Sequence, residues 1–321
     1  GNYPLLRTYS GTDDFIRLAE MYVETIQIAW CAIPIFWFNQ MDGRGPWDLE
    51  GSIHEHQRVM AWYGERGIPV ELNEPHHWGM RDAPDLIFVV SAYLSAYNAR
   101  AFGVGDYIAQ LMFNSPSALS DRMDLAKMVA ILEMIAPLAG PEFRIWRQTR
   151  TGLLSYPLDE DAARSHLATT VYLQMAIQPH IVHVVGHTEA HHAATAPDVI
   201  EACKLARRAI ENALRGAPEM TSAPAVQDRS AELIREAQVT LAAIRALADP
   251  DVADPLTDPR TLARAVTVGV LDAPHLRNNP FARGQIVTRI DERGACVAVD
   301  PADGRPLLEE ERIARLGITL A

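Results

Sequence analysis

The stretch IVHVVGHTEAHH, residues 181 to 192, decides how the chain is read. An apolar, largely β-branched run from Ile181 to Val185 reaches Gly186, and His187, Glu189, His191 and His192 follow within six positions. A buried strand that breaks at a glycine and then presents ionisable side chains is the active-site end of an α/β unit. Ligands of open α/β sheets and of β/α barrels sit where strands end at their carboxyl edge.

The same arrangement recurs upstream. Short apolar runs at Leu5–Thr8, Gln27–Ile33, Pro69–Leu72, Tyr107–Met112 and Phe143–Arg147 are expected to be strands, with Ile181–Val185 as the sixth. Helical patterns separate them at Asp13–Glu24, Gly51–Tyr63, Pro84–Ala101, Asp121–Ile135 and Asp159–Ala176, and another follows at Pro197–Leu214. Asp121 and Asp159 are expected at helix starts, where the dipole favours a carboxylate. Strands alternating with helices of this length imply parallel pairing through βαβ crossovers. The fold class expected is α/β, a (β/α)8 TIM-barrel-like architecture with about six β/α units visible, two short of closure. These units occupy residues 1–215.

Residues 216–321 differ in character. GAPEMTSAPAVQ (216–227) is a connector, a helix is expected over Ser230–Ala248, and ADPDVADPLTDPR (248–260) reads as an Asp-Pro-rich turn segment. Short β pieces follow at Gln285–Ile290 and Ala295–Val299. A small C-terminal α+β appendage of helices and short strands packed on the barrel is the economical expectation.

The totals narrow the function. The 321 residues suffice for a large core, and 48% hydrophobic with 22% charged residues suits a globular enzyme. A formal charge of −12 argues against nucleic acid or an anionic membrane as partner. No apolar run has the length of a membrane span, and no signal-peptide pattern is visible at the N-terminus. Cys31, Cys203 and Cys296 are odd in number and far apart, which points to the cytoplasm and to neither a disulfide framework nor a thiolate metal site.

Polar groups cluster after the expected strands. Asn73, Glu74, His76, His77 and Trp78 follow Leu72 and suit proton exchange with a polar substrate; a capped surface loop is the plain alternative. Arg147, Gln148 and Arg150 suit carboxylate or phosphate anchoring; a solvated or helix-pairing arginine is the plain alternative, more for Arg150 than for Arg147. His187 and His191 are spaced i,i+4, the spacing that aligns two nitrogens on a helix face for a metal. Glu189 stands in the wrong place for H-E-x-x-H, so contact with a cofactor or substrate is preferred and no metal is assigned. Phe36, Trp37, Phe38, Asn39 and Gln40 follow Ile33 as an aromatic wall or as ordinary rim packing. No phosphate-binding loop, nucleophile elbow or dinucleotide fingerprint is present, FGVGD (102–106) included.

Read in order, these landmarks resemble the large catalytic subunit of glutamate mutase, or methylaspartate mutase, in the adenosylcobalamin-dependent mutase superfamily. The resemblance rests on YPLLRTYSGT (3–12), WYGERGIPVELNEP (62–75) and SYPLDEDAARSHLATT (155–170). It continues in HVVGHTEAHHAATAPDVIEACKLA (183–206) and TVGVLDAPHLRNNPFARGQIV (267–287). Order and spacing carry it, since no single motif is decisive. Lysine and ornithine aminomutases look similar around Thr188–Ala190.

The resemblance implies an isomerase using adenosylcobalamin, with a small cobalamin-binding subunit as partner, an oligomeric assembly and a small carboxylate or amino acid as substrate. It implies Tyr156 and Glu189, with Asn39 and Ala193, on the cofactor side. Arg7, Asn73, Glu74, Arg147, Gln148 and His187 are the candidates for substrate and proton handling. The family's catalytic glutamate falls at Trp30, its neighbouring tyrosines at Phe36 and Gln40, and its lysine near the last strand at Val185. One clamp arginine falls at Arg7, with Thr8 or Tyr9 as alternatives across a one-residue gap. The units carrying the other clamp arginines have no counterpart. Two other readings remain open at this stage. One is a metal-dependent barrel hydrolase or lyase using His187, Glu189 and His191; the other is a non-catalytic paralogue that keeps the fold and the subunit interface.

Overall fold

In the computed structural model, residues 5–9 and 13–320 are described. Tyr3, Pro4, Ser10, Gly11 and Thr12 of the first matched stretch lie outside them. Six strands form one sheet in chain order, every neighbouring pair parallel: β1 (Arg7–Tyr9), β2 (Trp30–Ile33), β3 (Val70–Leu72), β4 (Asp106–Phe113), β5 (Arg144–Thr151) and β6 (Ile181–His183). The sheet curls into a TIM-barrel-like half-barrel, and among the described residues β1 and β6 each pair on one side only. The helices are α1 (Phe15–Ile26), α2 (Leu49–Gly64), α3 (Glu74–Gly79), α4 (Asp85–Ala101), α5 (Asp121–Ile135), α6 (Glu160–Gln174) and α7 (Ala196–Leu214).

β4 and β5 run further than their apolar content suggests. Gln110, Gln148 and Arg150 interrupt the hydropathy pattern because they face the interior, so the polar site itself disguised the strands. Arg147, Gln148 and Arg150 accordingly lie within β5 rather than after it. β6 is shorter than expected and ends at His183, with Val184 and Val185 in the following loop. The segment after β3 is a buried six-residue helix instead of a surface loop, and Pro75 occupies its first turn, where a missing N–H costs nothing.

Helix starts follow local chemistry. Asp159 caps α6 by accepting from Ala162 N at 2.8 Å. The cap of α5 is Ser120 rather than Asp121, which lies in the first turn. Thr195 and Asp198 form a reciprocal capping box on α7.

Beyond residue 215 come α8 (Pro224–Ala246), α9 (Pro259–Thr267), an antiparallel pair β7 (Val287–Ile290) and β8 (Cys296–Val299), and α10 (Glu309–Arg315). The third Asp-Pro of 248–260 is the cap and first residue of α9, with Asp258 accepting from Thr261 N at 2.7 Å, so that part of the expected turn is a helix start. α8 packs against α4 and α5. α4 is therefore buried on nearly every side, because α8 covers the face a barrel helix ordinarily gives to water. One apolar core runs from Ile33 and Val70 through Phe88 and Ile131 to Leu233 and Leu262. A smaller one joins α6 and α7 through Ala163, Leu167, Ala202 and Ala206. No helix among the described residues is long and apolar enough to cross a membrane.

Candidate functional site

Strand alternation puts one polar side chain from each of the six strands onto the inner face. Glu71 is the hub: Val70 and Leu72 on either side face the apolar core, which leaves its carboxylate inside and fully buried. Arg7 of β1 forks onto it at 2.9 Å (Nε to Oε2) and 2.5 Å (Nη2 to Oε1). Trp30 of β2 donates its indole N–H at 2.9 Å, Gln110 of β4 its amide at 3.3 Å and Gln148 of β5 its amide at 2.8 Å. His183 of β6 closes the chain on Gln148 Oε1 at 3.2 Å. Burial pushes the Glu71 carboxyl up, but the charge and fork of Arg7, with Gln148 and Trp30, outweigh it and hold the group below the usual carboxylate range.

Above this ring sits α3. Glu74 fastens the 35–37 loop. It accepts from Ile35 N at 2.6 Å, Phe36 N at 3.1 Å, and the indoles of Trp37 and Trp78 at 2.8 and 2.7 Å. Burial pushes its carboxyl up to about 7, and these four donors keep it from rising further. His77 Nε2 meets the Tyr9 hydroxyl at 2.8 Å, His76 Nδ1 meets Gln110 Oε1 at 2.6 Å, and the two imidazoles stack with centroids 4.1 Å apart. Burial, then Arg150, drives His76 well below the ordinary imidazole range; burial, then His76, does the same for His77. Both rings are neutral bases at pH 7.

Three buried groups in this region lack partners. Arg150, 8% exposed, has no acceptor for its Nε, and no carboxylate among the described residues lies within ion-pair distance of it. Both amide atoms of Asn73 and Nδ1 of His77 are also unsatisfied. Native interiors rarely leave such atoms unmatched, which makes these three groups candidates for contact with a ligand. Arg147, favoured over Arg150 on sequence, instead turns outward and donates to Gln178 O at 3.0 and 2.8 Å. Gln148 belongs to the ring. Arg7 and Glu74 are already occupied by protein partners. Glu71, Gln110 and His183 escaped notice on sequence; the available signal was a lone carboxylate centred in a three-residue apolar strand.

The loop after β6 forms the rim. Residues 187–191 are turns, so the i,i+4 alignment of His187 with His191 does not arise. His187 is buried, with Nδ1 unpartnered and Nε2 3.7 Å from Glu201 Oε2, whereas His191 is exposed and meets His192 at 2.8 Å. No group of three His, Cys, Asp or Glu among the described residues is placed to hold a metal, which leaves the hydrolase reading without a ligand set. Glu189 is exposed and lines a cleft of about 350 Å³ with Ala193. Tyr156 gives its hydroxyl to Val185 O at 2.9 Å, so only its ring is available to a ligand. Asn39 uses its amide on Phe36 O and Met41 N, which makes it a brace of its own loop.

A free carboxylate on an open rim beside an aromatic ring fits the ribose end of an adenosyl group, which presents two hydroxyl donors. Against known families, the chain matches the one described as methylaspartate mutase E chain (MutE) over residues 10–311. No curated protein matches it.

Proposed function

The chain belongs to the methylaspartate mutase E chain family, a subunit of an adenosylcobalamin-dependent mutase whose cofactor binds the other subunit; on that premise we propose that it is the catalytic subunit, an isomerase acting by radical 1,2-rearrangement of a small carboxylate. The observation that carries the reading is a buried, unpaired Arg150 beneath an open rim that bears an unengaged Glu189. When bound, adenosylcobalamin supplies the radical chemistry that the rearrangement needs.

This chain's own residues orient and insulate. Where the adenosyl end of a cofactor held by the other subunit reaches this rim, Glu189 would accept from its ribose hydroxyls, and the Tyr156 ring with Ala193 would wall the adenosyl side. Arg150 anchors a substrate carboxylate through a two-pronged contact that a guanidinium makes better than an ammonium. Arg7, Gln148 and Glu71 brace the floor beneath it. Asn73 and the neutral His77 take a second polar group, with His76 beside them and His187 at the rim as proton holders. Phe36 and Trp37 keep water out.

The working unit is a complex with a small cobalamin-binding subunit, and the three cysteines, all free, suit the cytoplasm. The test is reconstitution with that partner and titration of adenosylcobalamin by absorbance. Glu189→Ala should weaken cofactor affinity by roughly 10- to 100-fold, the loss of one or two charge-assisted hydrogen bonds. Unchanged affinity would refute the assignment.

A further inference from the structure

We propose that the acid recognised by this site carries no ammonium group. The inference rests on the mutase reading for the place where substrate sits, and it follows from the charges around that place. Four guanidinium groups, Arg7, Arg44, Arg81 and Arg150, act on the histidines and arginines of this region, against the inner carboxylates Asp42, Glu71 and Glu74 and, on the exposed rim, Glu189.

Every one of the inner carboxylates is already engaged. Asp42 pairs with Arg44 at 2.6 Å and accepts from Phe38 N and Asn39 N. Glu71 holds Arg7 and three neutral N–H donors, and Glu74 holds four. One of the three donors to Glu71 is Trp30, an indole where the resemblance puts a carboxylate. Two guanidiniums are left without an ion pair. Arg150 has no anionic partner, and Arg81 spends itself on His77 O at 2.9 Å and on the face of Trp37 at 3.9 Å.

A carboxylate entering here gives Arg150 the ion pair it lacks. An ammonium beside His77 would meet neutral imidazoles and the guanidiniums of Arg44, Arg81 and Arg150, with every inner carboxylate already engaged, and an unpaired buried charge is costly. The unpartnered atoms of Asn73 and His77 are neutral, and they suit a hydroxyl or carbonyl oxygen at the position where an amino acid has its nitrogen. Glu189 lies out on the exposed rim, where the mutase reading assigns it to the ribose.

The test compares acids of one carbon skeleton. The complex of this chain with its cobalamin-binding partner is titrated calorimetrically with glutarate, 2-hydroxyglutarate and L-glutamate. Glutarate and 2-hydroxyglutarate should each bind at least tenfold more tightly than glutamate. Glutamate binding as tight as glutarate overturns the proposal, and so does failure of all three to bind at millimolar concentration. Arg150→Met adds a second readout: it should abolish glutarate binding while raising the melting temperature of the ligand-free protein, since it removes an uncompensated buried charge. A lower melting temperature with glutarate binding retained would make Arg150 structural and overturn the proposal. If glutarate binds but neither it nor 2-hydroxyglutarate is rearranged in the presence of adenosylcobalamin, the mutase reading fails and the substrate charge assignment stands.

Discussion

Glu74 and Arg150 show how differently two buried charges serve one site. Glu74 meets an N–H in every direction, so Glu74→Gln sets an amide NH2 against two donors. Urea unfolding should show a loss of about 3 kcal/mol. An unchanged midpoint would mean that the four contacts contribute nothing. Arg150 has the opposite surroundings and awaits a partner. Sequence alone ranked Arg147 above it, because strand phase was unreadable where polar side chains replaced the alternation of apolar ones. Residues 147 and 150 necessarily fall on opposite faces of β5. The resemblance to a known family supplied Glu189 and Tyr156, whereas the six-strand ring around Glu71 needed the register of all six strands.

At the level of elements, the β/α alternation was legible because each strand is bounded by turn residues and each helix by a cap. What was missed was short or disguised: α3 behind a proline, α9 behind an Asp-Pro pair, and α10 within an acidic run. The close approach of two strand ends offers a test. A Cβ on Gly152 would sit 2.4 Å from Asn114 O and 3.0 Å from Phe113 O. Gly152→Ala should therefore cost about 1–3 kcal/mol and, by parting β4 from β5 near Arg150, weaken acid binding as well. Helix α2 carries a pH signature. His56 is fully buried against Phe15, and burial lowers its pKa to about 4. The unfolded chain thus binds the extra proton between about pH 6.5 and 4, so stability present above that window is lost as pH falls through it. Relative to His56→Gln, the wild type should lose about 3 kcal/mol of unfolding free energy over that range. A pH-independent difference would show that the imidazole is solvated.

For the whole molecule, residues 216–321 are tied to the half-barrel by a buried charge network. Lys127 of α5 lies 2.9 Å from Asp124, 3.6 Å from Asp85 of α4 and 2.6 Å from Ser115 O beyond β4. Asp85 in turn accepts from Cys296 N of β8 at 3.0 Å and faces Arg229 of α8 at 3.5 Å. Lys127→Met strands two carboxylates and should cost about 3–5 kcal/mol. Loss of the β7–β8 end and of the half-barrel in a single transition would show that they share one cooperative core. The sequence disclosed the change of character at 215 but not this continuity, since the linking charges lie far apart along the chain. We propose that this chain, with a cobalamin-binding partner, performs radical chemistry on a small carboxylic acid. Electron paramagnetic resonance of the reconstituted complex tests it directly. We predict a cobalt-coupled radical signal that appears only when an ammonium-free acid is added to the adenosylcobalamin-loaded complex and is lost with Arg150→Met. Cofactor bound at full occupancy, with no signal for any carboxylic acid, would contradict the account and identify a non-catalytic paralogue.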